Sequence, residues 1–235
     1  MGLRELKKQQ TRERIVDTAR RLFADRGFDK VTVADVAREA QVALATVFNY
    51  FPSKEDLFYS PLEAFGGRLI DAIRARETGE PVLVAFRRYL GNTDGLLTRI
   101  YAGDVDALHR ARAIHQVIAD SPALRARERQ VLARITDDLA ALLAEENGGG
   151  RDDVHAYVAA SALMGVHRIL VDHVRRRVLA DDHLTDLETD VHNLSARAFA
   201  LLEQGLGGYG RKPPAADRAR PYGGQHGASD GGSES

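Results

Sequence analysis

Thr46, Phe48, Asn49 and Tyr50 fall within one short stretch, VALATVFNYFPSKEDL (residues 42–57), and together carry the chemistry needed to read a DNA duplex. A carboxamide such as Asn49 donates and accepts at once, so it can pair bidentately with adenine in the major groove, and Thr46 can reach a base edge or a phosphate. Phe48 and Ala45 offer apolar contact to a thymine methyl. Tyr50, Thr32 and Lys54 are spaced to hydrogen-bond or neutralise phosphates. So are the backbone N–H groups opening helices near Val33 and Ser53, and Lys30 adds a further cation.

Such side chains work only if short helices hold them on one face. Thr32-x-x-Asp35 resembles a capping box and opens a helix over about 33–40. A second helix covers about 43–50, Pro52-Ser53 breaks it, and Ser53-x-x-Asp56 starts another. Val36, Ala37 and Ala40 face inward from the first, Val42 anchors the turn, and Val47 and Phe51 bury the inner face of the second. What stays outside is Leu44, Ala45, Thr46, Phe48, Asn49 and Tyr50. This is a helix-turn-helix, in which one helix braces another that lies in the major groove. Upstream, Ile15, Val16, Ala19, Leu22 and Phe23 form the apolar face of a helix over 11–26. Gly27 supplies its left-handed cap, and Phe28 folds back on the last turn. Downstream, Pro61 predicts a kink or split near the first turns of the helix that begins at Ser53.

The run from TRERIVDTARRLFADRGFDKVTVADVAREA through TVFNYFPSKEDL resembles the TetR family of transcriptional regulators. The resemblance covers about 50 residues in detail and beyond them only helix number and order. It implies a three-helix DNA-binding domain followed by a helical ligand-binding and dimerisation domain. By position it places Thr46, Phe48, Asn49, Tyr50 and Lys54 on DNA-contacting sites and Val47 in the core. Two residues depart from the family pattern. Gln41 stands where the turn often has Gly, so either the turn differs or a cost of roughly 1–2 kcal/mol is tolerated. Ala43 stands where a capping Ser or Thr is usual, which costs about 0.5–2 kcal/mol.

Composition agrees with a regulator of this kind. The chain has 235 residues, a formal net charge of −1, eight His and no Cys, so disulfides and cysteine metal sites are excluded. Residues 1–54 hold eleven Lys/Arg and seven Asp/Glu, a basic module on an acidic remainder. No H-E-x-x-H or other tight ligand spacing points to a metal, no cofactor motif occurs, and Gly148-Gly149-Gly150 lacks the G-K-[ST] ending of a phosphate loop. No G-x-S-x-G elbow or placed acid–base pair suggests an enzyme. No apolar run approaches the roughly 20 residues that span a bilayer, and the N-terminus lacks the apolar core of a secretory signal, so no membrane partner is expected and the cytoplasm is.

The expected fold is therefore all-α. Residues 1–10 are a flexible basic arm (Arg4, Lys7, Lys8). Residues 11–57 form the helix-turn-helix domain, with its fourth helix continuing to about 75 as a connector. Residues 76–206 form a helical effector-binding and dimerisation domain with helices over about 81–101, 104–119, 122–146, 152–179 and 184–205, and 207–235 is a disordered tail. A pocket for a small-molecule effector should be apolar with a few placed polar groups, for which Tyr89, Tyr101, His115, Tyr157 and His167 are candidates. The last two helices suggest a homodimer interface. The earlier offers Val158, Ser161 and Gly165. The later offers a seam of Leu187, Val191, Leu194, Ala198 and Leu201 at 3–4 spacing, although the same pattern serves internal packing in a monomer. The function expected is sequence-specific binding of a near-palindromic double-stranded DNA operator, as a ligand-responsive repressor. The alternative is a helical protein–protein adaptor on the same scaffold without DNA binding.

Overall fold

The computed structural model describes residues 2–92, 105–150, 153–180 and 186–206; among these every regular element is a helix. The helices are α1 (Leu3–Arg26), α2 (Val33–Glu39), α3 (Leu44–Tyr50), α4 (Lys54–Arg74), α5 (Val82–Asn92), α6 (Val105–Asp120), α7 (Pro122–Glu146), α8 (Val154–Leu179) and α9 (Leu187–Leu206).

The expected stops and starts are local, and they are present. Gly27 has φ 82 and its N–H donates to the Phe23 carbonyl, closing α1. Phe28 then packs on Phe23 with ring centroids 5.1 Å apart, and Phe58 of α4 joins both rings at 5.7 and 5.5 Å. Thr32 and Asp35 form a reciprocal capping box. Ser121 caps α7, whose first residue is Pro122, where the missing N–H costs nothing. One expectation fails and a second is narrowed. First, α1 begins at Leu3 rather than near 11, so the residues expected as a flexible arm form its opening turns. Second, α4 runs through Pro61 without a split. There the Leu57 carbonyl loses its usual helical partner, a loss that α4 offsets through its packing on both domains.

That packing makes α4 the shared beam of the molecule. Phe58 packs with Phe23 and Phe28 of the N-terminal helices, Tyr59 is buried near Glu128 and Arg175 of the C-terminal ones, and Leu57, Leu69 and Ile73 are buried along the same helix. α4 and α7 lie side by side and run parallel. Arg127 of α7 reaches Asp56 and Glu63 of α4 at 2.5 and 3.0 Å. Further along, a Cβ on Gly66 would sit 2.5 Å from Ile135 Cγ1, so the helices touch where α4 has no side chain. At the far end Arg76, just past α4, pairs with Glu146 of α7 at 2.6 Å.

α8 is the hub of the second domain and packs against α5, α6, α7 and α9. By length and mean hydropathy (1.4 over its most apolar stretch) it could cross a membrane, a property not expected from the sequence. Here its stripe of Ala156, Ala160, Leu163, His167, Leu170 and Val174 faces the protein core. Each large apolar side chain so buried contributes roughly 1.5–3 kcal/mol.

Candidate nucleic-acid interface

α2 and α3 are held from within. Val36, Ala37, Ala40, Val47 and Phe51 are buried, Val42 is partly buried, and the small Ala37 lets the turn close with its carbonyl 3.0 Å from the Val42 N–H. The opposite face of α3 is bare. Leu44 and Phe48 are 44% and 47% exposed, and Ala45 and Asn49 lie beside them in solvent, with Thr46 half-buried at the edge. Two large apolar side chains at i, i+4 spacing and a carboxamide next to the second, left open on a helix braced from behind, form a surface shaped for a groove.

The two departures now have definite consequences. Gln41 adopts φ 54, so the turn keeps its left-handed geometry with a residue that disfavours it. Ala43 caps α3 with no side-chain hydrogen bond. Burial of Val47 and Phe51 carries both costs. Gln41→Gly should therefore raise stability by up to about 1 kcal/mol without touching the outer face of α3. A lower thermal midpoint for that variant would contradict the strain.

The groups expected at phosphates divide in two. Lys30 and the backbone N–H of Val33, unpaired by position at a helix start, remain available. The hydroxyls of Thr32 and Ser53 are already engaged: each accepts from a backbone N–H three residues on and donates to the carboxylate there. The bonds from Thr32, with Arg38 beyond them, hold the Asp35 carboxyl well below its usual range. Lys54 is a brace that sequence spacing could not reveal. Its ammonium donates to the carbonyls of Phe28 (2.9 Å) and Val31 (3.2 Å) and sits 4.1 Å from the Phe28 ring centroid. One of its three protons is left for a phosphate. Tyr50 donates its hydroxyl to the Lys8 carbonyl at 3.3 Å.

The polar residues expected in an effector pocket scatter. Tyr157 is 55% exposed, because the buried stripe of α8 passes through Ala156 and leaves its neighbour outside. Tyr101 lies outside the described residues. His115 is buried but already accepts from Arg175 Nε at 3.3 Å, and Arg175 pairs with Glu128 at 2.5 Å. Tyr89 and His167 do come together, through a residue that sequence reasoning missed. The Tyr89 hydroxyl donates to the Phe65 carbonyl at 3.1 Å, and the Phe65 ring stacks on His167 at 4.8 Å. His167 Nδ1 is buried without a hydrogen-bond partner. Near Glu128 and Arg175, Tyr59 buries a hydroxyl that also lacks one, and burial, with Glu128, raises its phenol.

The Leu seam of α9 is a correction as well. Leu187 and Val191 are 2% and 3% exposed within the protomer, and Leu194 and Ala198 pack against the same core. Phe199, buried against Phe86, turns that face inward, and of the seam only Leu201 stays exposed. Val158 and Ser161 of α8 are exposed and Gly165 is half-buried. Among the described residues no group of His, Asp or Glu could hold a metal ion.

Burial pushes His115 and His167 down to about 4, with Arg175 adding to the shift at His115 and Asp172 opposing it at His167. In the unfolded chain both titrate at 6.5. The unfolded state therefore binds more protons between those values, and stability is full above 6.5 and falls as the pH drops toward 4. At pH 5 each histidine should cost about 2 kcal/mol relative to pH 7. Urea unfolding at both pH values checks this, and His167→Gln should lose clearly less on acidification than the parent chain.

Comparison with known proteins places the same region. Residues 15–60 match the family described as bacterial regulatory proteins, tetR family. The HTH-type transcriptional regulator TcmR of Streptomyces glaucescens is 28% identical over 154 residues, 65% of this chain and 67% of its own. The putative mycofactocin biosynthesis transcriptional regulator MftR of Mycobacterium tuberculosis is 29% identical over 170 residues, 69% of this chain and 79% of its own. LuxR of Vibrio harveyi is 48% identical over 46 residues, 20% of this chain and 22% of its own. These proteins are transcriptional regulators and not enzymes, and the long matches reach well past the helix-turn-helix. The helix-turn-helix region thus matches the tetR family model, and the proteins this chain resembles over most of its length are transcriptional regulators.

Proposed function

We propose that this regulator acts in the cytoplasm as a homodimeric repressor on a near-palindromic operator, released by a small molecule bound in its second domain. The observation that carries the operator reading is the bare face of α3, with Leu44, Ala45, Phe48 and Asn49 open to solvent over a buried Val47 and Phe51. Asn49 reads adenine, Phe48 and Ala45 meet thymine methyls, and Thr46 reaches a base or phosphate. Lys30, the Val33 and Ser53 N–H groups and the remaining proton of Lys54 hold phosphates, while the Tyr50 hydroxyl stays on the Lys8 carbonyl. A two-fold operator requires a two-fold protein, and the exposed apolar face of α8 supports one.

Support for an effector comes from Phe65, Tyr89 and His167. A buried imidazole nitrogen without a partner is costly unless something supplies a donor. A ligand with an aromatic or aliphatic body and one hydrogen-bond donor suits that position. Because Phe65 lies on α4, a ligand there would act on the beam that carries the DNA-binding helices. It switches the protein only by binding one position of α4 more tightly than the other.

Genomic footprinting of the purified protein, followed by a release screen on the recovered site, tests the whole reading. On that site Asn49→Ala should narrow the preference over scrambled duplex by about 1–3 kcal/mol. Lys30→Ala should weaken both duplexes alike and lower the salt slope by about one. Equal narrowing by both variants would sink the division of labour, and a wild-type chain with no salt-dependent duplex binding would sink the operator.

A further inference from the structure

We propose that the first turns of α1 form a second DNA-contacting element, a basic helical extension that lies along the phosphates flanking the groove entered by α3. This rests on the operator reading above and adds a surface to it. Residues 2–14 carry five Lys/Arg and two Glu. Arg4, Lys8 and Arg12 recur at i+4, on one face of a continuous helix that begins at Leu3. Two of the three touch the C-terminal end of the recognition helix. The Lys8 carbonyl accepts from the Tyr50 hydroxyl at 3.3 Å, and the Arg12 guanidinium lies 5.2 Å from the centroid of the Phe51 ring. Arg4 stands one turn further out on that stripe, and Lys7 stands beside it.

The extension has no reason of its own to be there. Residues 4–10 are all exposed, and the buried face of α1 starts only at Ile15. Among the described residues Arg4, Lys7 and Lys8 have no carboxylate partner, so like charges at i+4 repel along the stripe. An unpacked helical segment of this length is marginal in water. A polyanion laid across it removes the repulsion and supplies the missing partners. The bond from Tyr50 and the stacking of Arg12 on Phe51 fix the stripe against the C-terminal end of α3, so the duplex read by Asn49 runs past it. The charged tips of a rigid rod fall on phosphates, which carry affinity and register but no sequence.

The test is the triple variant Arg4→Ala, Lys7→Ala and Lys8→Ala in the full chain, measured by anisotropy on operator and scrambled duplexes across a salt series. Alanine favours helix, so circular dichroism and the thermal midpoint should hold. The slope of log K against log salt should fall by about 0.9 for each phosphate no longer neutralised, with affinity down roughly tenfold or more at low salt. The ratio of operator to scrambled affinity should not move. Trimming the outer base pairs of the duplex should weaken the wild type and leave the triple variant unchanged. An unaltered slope, which marks a solvated extension, overturns the proposal. So does a fall in the ratio without a change of slope, which marks base reading. Wild-type binding to the operator would stand in either case, and its absence would instead remove the operator reading.

Discussion

Arg76→Met should lower the unfolding free energy by about 3–5 kcal/mol. The Arg76 side chain is fully buried and Glu146 is 9% exposed. The guanidinium grips both oxygens of Glu146, at 3.1 and 2.6 Å, and also donates to the carbonyls of Ile73 and Glu80 at 2.8 and 3.2 Å. Removing the cation leaves a buried carboxylate with its desolvation uncompensated, and that penalty exceeds the value of the pair itself. Two acceptors, Ile73 in the last turn of α4 and Glu80 in the loop that follows, also lose a donor, at about 1 kcal/mol or more each. The double variant Arg76→Met, Glu146→Leu removes the stranded charge and should recover most of the loss, but not the part due to the two carbonyls. Urea unfolding of both variants measures the difference. A single variant within about 1 kcal/mol of the parent would mean that the pair does not pin α4 to α7.

Such a pair could not be read from the sequence, because its members are 70 residues apart and each looks like an ordinary charged residue on an amphipathic helix. The helix-turn-helix could be read because its signals are local. A capping box at Thr32, a serine cap at Ser53, a left-handed glycine and inward apolar positions all lie within a few residues of the elements they define. The outer face of α3 follows by subtraction. Sequence reasoning failed where one pattern admits two partners. The 3–4 spacing of α9 specifies that it packs on a helix and not which one, and Phe199 decides for the protomer's own core. Lys54 illustrates the same limit at a single residue. Its place at the start of α4 suits a phosphate, but the fold brings the Phe28 and Val31 carbonyls to its ammonium first. His167 was legible as a polar group on an apolar stripe, whereas Phe65, which stacks on it, was indistinguishable from any core aromatic. The strain at Gln41 and the missing cap at Ala43 leave α2 and α3 formed.

Val158→Asp should convert the protein to a monomer and reduce operator affinity by roughly 100-fold or more. Val154, Val158 and Ile169 are 68%, 57% and 47% exposed on α8, with Tyr157 at 55% beside them. Residues 154, 158, 161, 165 and 169 share one stripe, and its middle members, Ser161 and Gly165, are small enough to let a second helix approach closely. In the proposed homodimer this run of exposed apolar side chains is the surface that the second copy covers. A carboxylate at 158 is harmless in water, so the isolated protomer should keep its stability. Against a second copy it becomes a buried, unpaired charge, and two-fold symmetry brings in two of them at several kcal/mol each. A monomer then engages each half-site alone and forfeits the roughly 10²- to 10⁴-fold advantage of linked binding. Sedimentation equilibrium and anisotropy on full and half operators report the two effects separately. The variant should bind a half operator as well as the parent does under conditions where the parent is monomeric. A Val158→Asp chain that remains a dimer with undiminished operator affinity would place the partner elsewhere and leave the apolar face of α8 without the role argued for it.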